Sequence, residues 1–368
     1  MMSTNTKDST VSLGTKIVLL LGANVALMAG ASLSPVMPAM MADFASVPGT
    51  TFWVSMIITL PALFVVIGGP IAGYLTDRFG RKSVLVTSIL LGGLSGNAGV
   101  FLNDIGLILV TRALMGLCIA GAMTATNALI ADYFEGQQRA KFMGLQSAFS
   151  GLGVVIFLPI GGYLADINWH YAFLTHLPLL VLFPLAWIFI REPKALTFED
   201  GVVETTQLKF THTILYIYTA GFLSQITFMT IPIFIAYFLT IILDASGLQV
   251  GLAGAVSGLM TFIGGWLYER ISRGVRLRRL SITGYLILRE GFLILGLSTT
   301  WVFVILGLLI LGFCLGVIIA NLTTWLASQV GPQVRGRANG IFVTLMFLGQ
   351  FLASFVSKPI SNLASYVF

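Results

Sequence analysis

A polar, glycine-containing segment interrupts the apolar sequence of this chain at Gly73-Tyr74-Leu75-Thr76-Asp77-Arg78-Phe79-Gly80-Arg81-Lys82. A related segment begins 192 residues later, at Gly265-Trp266-Leu267-Tyr268-Glu269-Arg270-Ile271-Ser272-Arg273. The glycine, the leucine, the acidic residue and two arginines keep their spacing in both copies. Because each copy lies between long apolar runs, at the same point in their order, the pattern indicates a duplicated helical unit.

Two further pairs of segments support the duplication. Gly116-Leu117-Cys118 matches Gly312-Phe313-Cys314 at an offset of 196, and Arg139 with Gly144 matches Arg335 with Gly340 at the same offset. The sequence therefore predicts two parallel halves, an architecture that secondary transporters use. We expect a cytoplasmic tail at 1–16, a six-helix bundle at 17–190, a cytoplasmic linker at 191–212 and a five-helix bundle at 213–368.

The composition excludes a soluble enzyme. Of the 368 residues, 57% are hydrophobic and only 9% are charged, whereas soluble domains carry about 25% charged residues. Continuous rather than alternating apolar runs favour membrane-spanning helices over a barrel. An all-α integral membrane protein with about eleven spans is predicted, at residues 17–40, 52–75, 83–102, 105–131, 143–165, 171–190, 213–240, 250–268, 280–298, 301–327 and 339–364.

The distribution of charge predicts the orientation. All lysines and arginines except Arg112, Arg289 and Lys358 fall in the segments of one side, while the opposite loops carry aspartates and no basic residue. Basic loops mark the cytoplasmic side, so we expect a multi-pass protein with a cytoplasmic N-terminus. The short loops suggest a bacterial inner membrane. The net charge of +6 then needs no nucleic acid as a partner.

The segment at 73–82 resembles the signature loop of the major facilitator superfamily, and it lies between the second and third spans, as in that family. The resemblance implies that Asp77 contacts the N-terminus of the eleventh helix near Arg337 and Gly340, and that Arg81 pairs with Asp132. Such contacts would form a cytoplasmic latch between the halves, with these members: Gly73, Leu75, Asp77, Arg78, Gly80, Arg81, Lys82 and Asp132.

The second copy of the loop is expected to be a weaker latch. It keeps Gly265, Glu269, Arg270 and Arg273, but the offset of 196 places Ser328 where Asp132 would be required. An alternative interpretation is that the basic residues of both copies only anchor the helices on the cytoplasmic side.

Two other segments are similar to motifs of the same family. The residues around Arg112 and Gly116 resemble its fourth-helix motif. Leu158-Pro159-Ile160-Gly161-Gly162 approximates its fifth-helix antiporter motif, with leucine in place of a glycine and one residue fewer. The family has twelve helices. An offset of 195 places the start of the twelfth at Tyr366. Either the protein lacks that helix, with its C-terminus outside, or the sequence is truncated before it.

The family resemblance also implies which helices line a central cavity, namely the first, fourth, seventh and tenth. Polar side chains on these helices, with others nearby, are the candidates for substrate contact: Asn24, Asn127, Gln146, Gln225 and Asn321, with Phe149 and Trp325 as aromatic walls. Each amide could instead join two helices by hydrogen bonds, which contribute about 0.6 kcal/mol on average.

Charged residues inside a span are costly, by about 2.5–3.5 kcal/mol on insertion scales, and usually face a cavity. Arg112 is a candidate for binding an anionic group or for modulating a protonation site, unless it only bonds to neighbouring helix carbonyls. Glu290 is the single carboxylate deep in any span and is the candidate for proton coupling. A local ion pair with Arg289 is the alternative.

These observations predict a secondary active transporter rather than an enzyme, and no cofactor or metal site. No phosphate-binding loop is present in the sequence, so a gradient must drive transport. We expect proton-linked efflux of a small amphipathic compound by a monomer that alternates access. The alternatives are an importer or facilitator of a sugar, amino acid or organic anion, and a non-transporting sensor or assembly partner on a degenerate transporter fold.

Overall fold

The computed structural model describes residues 11–22, 25, 31–193, 209–331 and 334–367, and these residues form helices and turns without a β-strand. Within them, eight helical segments are long and apolar enough to cross a membrane: Thr50–Phe79, Arg81–Phe101, Ile105–Tyr133, Trp169–Phe189, His212–Leu243, Gly247–Ser272, Trp301–Gln329 and Arg335–Val356. These correspond to the predicted second, third, fourth, sixth, seventh, eighth, tenth and eleventh spans.

The other three predicted spans are also helical where the structure describes them. The first contains the helix Leu13–Gly22, a 3-10 helix at Ala31–Val36 and the helix Met37–Asp43. The fifth is the helix Gly136–Ile167, and the ninth is the helix Leu277–Gly296. The ninth helix carries four charged residues, Arg278, Arg279, Arg289 and Glu290, which lower its mean hydropathy. The count of eleven stays a prediction.

The sixth and eleventh spans differ in detail from the predicted segments. The sixth begins as a 3-10 helix, Trp169–His176, and continues as the α-helix Leu177–Phe189. The eleventh is one helix, Arg335–Val367, which begins four residues before the predicted span. Asn24 and most of the predicted linker, 194–208, lie outside the described residues, as does most of the predicted tail.

Polar N-cap residues and a glycine mark the points where several of these helices begin or end. Polar side chains occupy N-cap positions, where they accept otherwise unpaired backbone N–H groups. Asp104 accepts from Leu107 N at 2.8 Å, and Ser246 forms a reciprocal capping box with Gln249. Glycine breaks the helix at Gly80, whose φ of 87° is favourable only for glycine. The second helix therefore runs to Phe79 and the third starts at Arg81, so the predicted loop at 73–82 is almost entirely helical.

Helices pair in the same way in the two parts of the chain. The second helix packs against the fourth, and the third also packs against the fourth. Likewise the eighth helix packs against the tenth, and the ninth also packs against the tenth. This correspondence fits the predicted duplication. Between the first six spans and the last five, the main contacts join the fifth helix to the eighth and the second to the eleventh.

Contacts between the two halves concentrate at one end of the bundle. We call the end with the arginine-containing turns, such as Arg78 and Arg270, the basic end. The end with Asp43, Asp104 and Asp166 is the acidic end. One buried apolar cluster joins the acidic ends of the first, second, fourth and sixth spans to the later helices, whereas the second cluster draws its buried members from the first six spans alone.

Glycines show how closely the halves approach at the acidic end. A Cβ atom on Gly162 would lie 2.0 Å from the carbonyl oxygen of Gly247, and one on Gly251 would lie 2.4 Å from the carbonyl oxygen of Leu158. At the basic end, Cβ atoms on Gly336 and Gly340 would have no neighbour within 4 Å among the residues that the structure describes. The halves therefore touch at the acidic end and are open at the basic end.

Candidate functional site

The turn between the second and third helices is stabilised by a residue that the sequence analysis did not select. The carboxylate of Glu192 accepts the backbone N–H of Arg81 and of Lys82, each at 2.7 Å. These N–H groups belong to the first turn of the third helix, where backbone donors lack helical partners and a negative charge is favoured. Glu192 follows the sixth span directly, so it connects the basic ends of the third and sixth helices.

Gly80 is required here for two reasons. Its φ of 87° disfavours any side chain, and a Cβ atom at this position would lie 2.8 Å from the Glu192 carboxyl carbon. The only signal for Glu192 in the sequence is an acidic residue just after a span and just before Pro193. Many acidic residues follow spans without capping another helix, so this signal does not identify the contact.

The predicted partners Arg81 and Asp132 lie together. Arg81 Nε is 3.2 Å from Asp132 Oδ2, with side-chain exposures of 25% and 20%. The two atoms form an ion pair without the geometry of a hydrogen bond. This contact joins the third helix to the basic end of the fourth, within the same half of the chain.

The predicted partners of Asp77 are not brought to it in this structure. Asp77 is exposed, and no hydrogen bond or ion pair joins its carboxylate to a described residue. Arg337 and Gly340, at the start of the eleventh helix, are exposed as well. The open basic end separates these elements, so a latch at Asp77 stays a prediction for a conformation in which this end is closed.

Two other basic residues of the signature segment lie against aromatic rings. The Arg78 guanidinium donates to the Tyr74 hydroxyl at 2.7 Å and lies 5.4 Å from the centre of the Phe79 ring. The Lys82 ammonium lies 5.7 Å from the centre of the Trp187 ring. Aromatic and basic side chains combine in this way at membrane interfaces, which favours an anchoring role for these two residues.

The second copy of the segment contains only local contacts. Arg273 donates to Glu269 at 2.8 Å, one helical turn away, and the two side chains are 73% and 82% exposed. Arg270 lies 5.7 Å from the centre of the Trp266 ring. Gly265 lies close to the tenth helix, where a Cβ atom would be 3.9 Å from the carbonyl oxygen of Gly316. Exposed pairs of this kind contribute little to stability.

Arg112 is fully buried among the third, fourth and sixth spans. Its Nη2 donates to the carbonyl oxygens of Ser95 at 3.1 Å and Gly96 at 2.9 Å, and its Nη1 lies 3.4 Å from His176 Nε2. The guanidinium also stacks over Phe173, 5.0 Å from the ring centre. These contacts engage Nη1 and Nη2 inside one half, while the buried Nε has no hydrogen-bond partner among the described residues. The two carbonyl bonds favour the interpretation of bonding to neighbouring helices over anion binding.

The candidate amides differ in their surroundings. Asn321 is buried and donates to Leu277 O at 2.9 Å and to Ser281 Oγ at 2.7 Å, while its own oxygen accepts from Tyr268 at 3.2 Å. It therefore joins the eighth, ninth and tenth helices. Asn127, on the fourth helix, is exposed.

Gln225 is also buried, and its side-chain oxygen accepts from Gln350 at 3.0 Å, so it joins the seventh and eleventh helices. Gln146 and Phe149 on the fifth helix are half-buried. Trp325 is half-buried too, with its ring centre 5.5 Å from that of Tyr216. Of the candidates that the structure describes, Asn127, Gln146, Phe149 and Trp325 therefore remain accessible.

Glu290 lies on the exposed surface of the ninth helix. Its Oε1 is 4.0 Å from Arg289 Nη1, and the two side chains are 58% and 70% exposed. The carboxylate does not point into the bundle, because the buried face of this helix is formed by residues such as Leu288 and Gly291. The geometry favours the local ion pair.

A small apolar cavity lies where the two halves meet. It has a volume of about 40 Å³ and is lined by residues of the first, fifth, seventh and eighth spans, among them Ser34, Leu158, Phe228, Pro232 and Ser257. Among the described residues, no three His, Cys, Asp or Glu side chains are grouped to hold a metal ion. The cavity is lined mainly by apolar side chains and lies where the fifth and eighth helices touch.

Comparisons with known proteins agree with this architecture. The bacillibactin exporter of Bacillus subtilis (strain 168) is 38% identical over 148 residues, which cover 38% of this chain and 36% of the exporter. The class B tetracycline resistance protein of Escherichia coli is 30% identical over 161 residues, which cover 44% of this chain and 40% of that protein. The matched segments thus span well under half of these relatives.

A solved structure matches over a larger part of the fold. The crystal structure of a D-xylose-proton symporter superposes with a TM-score of 0.77 at 17% identity, covering 93% of this chain and 88% of the symporter. The sequence profile of the Major Facilitator Superfamily matches residues 19–354 of this chain. Since that match takes in both halves, including the signature segment and its second copy, the chain belongs to the Major Facilitator Superfamily.

Proposed function

We propose that this transporter is a secondary active exporter, which moves a small amphipathic compound by alternating access and couples its movement to protons. The family is one of transporters and not of enzymes. The observation that carries the proposal is the asymmetry between the two ends of the bundle. A solute pathway that is open at one end and closed at the other is one of the two states that alternating access requires.

Export is the direction that we propose, and the distribution of charge is compatible with it. If the basic end faces the cytoplasm, as basic turns favour, the opening faces the compartment from which an exporter takes its substrate. Two relatives carry names that fit export, a bacillibactin exporter and a tetracycline resistance protein. We further propose a bacterial inner membrane as the location and a monomer as the working unit.

The surfaces between the halves support an amphipathic substrate. Apolar side chains dominate the cavity between the halves. Of the substrate contacts expected from the sequence, two amides, Asn127 and Gln146, and two aromatic rings, Phe149 and Trp325, are exposed or half-buried. Such a surface binds an apolar body and a few hydrogen-bonding groups. A strongly anionic substrate fits less well, because the buried Arg112 is already bonded to helix carbonyls.

Flux measurements with the purified full chain in proteoliposomes test this proposal. The solutes are tetracycline, bacillibactin and D-xylose, each measured with and without an imposed pH gradient, and protein-free liposomes provide the background. We expect flux of tetracycline or bacillibactin that increases several-fold when the gradient is applied. Flux that ignores the gradient would indicate a facilitator, and gradient-driven movement of D-xylose alone would indicate an importer of sugars. Either result would overturn proton-linked export.

A further inference from the structure

The acidic end of the fifth helix repeats the beginning of the signature segment. Gly162-Tyr163-Leu164-Ala165-Asp166 has the same glycine, tyrosine, leucine and aspartate as residues 73–77, with one substitution between them. The first copy ends the second helix at the basic end, whereas this copy ends the fifth helix at the acidic end. Glycine and aspartate are four residues apart, so they lie on the same face of their helix.

Asp166 contacts the other half of the chain through backbone groups. Its Oδ1 accepts the N–H of Gly247 and its Oδ2 accepts the N–H of Leu248 at 2.9 Å. These are the first two residues of the eighth helix, Gly247–Ser272. A carboxylate at this position satisfies unpaired donors and interacts favourably with the positive end of the helix dipole.

The residues at the start of the eighth helix do not satisfy all of the backbone N–H groups there. Its capping box satisfies the N–H groups of Ser246 and Gln249, through Gln249 Oε1 at 2.9 Å and Ser246 Oγ at 3.3 Å. The two N–H groups between them, of Gly247 and Leu248, are bonded by Asp166 alone among the described residues. A cap that begins in one half is therefore completed by the other half.

Two glycines allow the carboxylate to reach this position. A Cβ atom on Gly162 would lie 2.0 Å from Gly247 O, and a Cβ atom on Gly247 would lie 2.6 Å from Gly162 O and 2.9 Å from Asp166 Oδ1. Neither position has room for a larger residue while the halves stay in contact. The glycine and the aspartate of the repeated pattern thus act at one contact.

We propose that Asp166 is a latch between the halves at the acidic end, which stabilises the conformation open at the basic end. The inference rests on alternating access, because a latch has a role only if this contact opens. Opening the acidic end would expose the donors of Gly247 and Leu248 and remove their counter-charge. Removing the Asp166 charge is therefore expected to increase the population that is open at the acidic end.

Distances measured by double electron–electron resonance in the full chain test the latch. Nitroxide labels at Ser46→Cys and Thr299→Cys, both exposed at the acidic end, report the separation of the halves in a Cys118→Ala, Cys314→Ala background. We expect Asp166→Asn to raise the ratio of long to short distances about two- to fivefold, the range for one charge at a helix N-terminus. Asp104→Asn is the matched control, because Asp104 caps the fourth helix within its own half.

Gly162→Ala separates the latch from the alternation itself. The added methyl group clashes with Gly247 O, so it should open the acidic end whatever Asp166 does. If Gly162→Ala raises the ratio while Asp166→Asn leaves it unchanged, the latch is refuted and alternation stands. If neither substitution moves the ratio, alternating access fails as well. An equal shift in Asp104→Asn and Asp166→Asn would also refute the latch.

Discussion

Several side chains are held in place by hydrogen bonds to backbone groups near the ends of helices. Glu192 satisfies two N–H groups of the third helix, and Gly80 leaves the space in which the carboxylate lies. Arg112 acts in the opposite sense, as a buried donor to two carbonyl oxygens. In both cases the side chain bonds to backbone groups. Because residues of any type can offer such groups, residue type alone does not reveal the partner.

Replacing Glu192 should destabilise the first six spans. Glu192→Gln removes the charge from the start of the third helix, and we expect a loss of about 1 kcal/mol in the free energy of unfolding. Thermal unfolding of the purified protein in detergent measures it. Glu290→Gln, which affects only an exposed pair at 4.0 Å, is the control and should leave the midpoint within error. Equal midpoints for the two variants would contradict the cap.

Arg112→Lys should lower stability while sparing substrate binding. Lysine keeps the charge but cannot reproduce the fork that reaches Ser95 O and Gly96 O. We expect a loss of about 1–3 kcal/mol, the range for hydrogen bonds to charged groups. Thermal unfolding and the KM for flux are measured together. An unchanged unfolding midpoint with a tenfold higher KM would instead place Arg112 in the binding site.

Helices of this protein are joined by side-chain amides as well as by close packing. Asn321 bonds to the eighth and ninth helices from the tenth, and Gln225 bonds to the eleventh from the seventh. Asn127 has the same chemistry but an exposed side chain on the fourth helix. The role of an amide therefore depends on the helices that surround it, and not on which helix carries it.

The same substitution at two asparagines should separate these roles. Asn321→Ala removes three hydrogen bonds among three helices, and at about 0.6 kcal/mol each in a membrane we expect a clear fall in thermal stability. Asn127→Ala should leave the unfolding midpoint unchanged and alter the KM or the choice of substrate in the flux assay. The opposite assignment of effects would show that Asn127, and not Asn321, stabilises the bundle.

The whole molecule combines two helical halves that touch at one end. Glycine contacts and a shared apolar cluster close the acidic end, while the start of the eleventh helix at the basic end has no described neighbour within 4 Å at Gly336 and Gly340. At the closed end Asp166 of the fifth helix bonds to the first two residues of the eighth helix, and the predicted partners of Asp77 are out of its reach. This arrangement fits one of the two states of the alternating access that we propose.

The accessibility of introduced cysteines should report this state and its orientation. In the background without native cysteines, Gly340→Cys at the basic end should react with a membrane-impermeant maleimide from the cytoplasmic side. Val250→Cys, at a buried position near the acidic end of the eighth helix, should stay unlabelled from both sides. Labelling of Gly340→Cys only from the outer side would reverse the orientation, and equal labelling of both cysteines would contradict the closed acidic end.

The sequence alone determined the fold class, the family and several local pairs. Continuous apolar runs of sufficient length predict helices in a membrane, because a helix satisfies its backbone hydrogen bonds within its own segment. Most of the predicted spans and the signature segment follow from patterns within short segments. The pair of Arg81 with Asp132 was implied by the resemblance of that segment to its family. The repeat at 162–166 is also visible in the sequence. Nothing in the sequence shows that Asp166 contacts the backbone of Gly247 and Leu248.

Only the tertiary structure decided which of these residues meet. Glu192 and Lys82 are 110 residues apart in the chain, and Asp166 and Gly247 are 81 apart. Their bonds are to backbone N–H groups, which leave no pattern of residue types in the sequence. The buried position of Asn321, the exposed position of Asn127 and the open basic end likewise depend on how whole helices pack. A periodic pattern fixes which residues share the face of one helix, but it does not fix which other helix that face contacts.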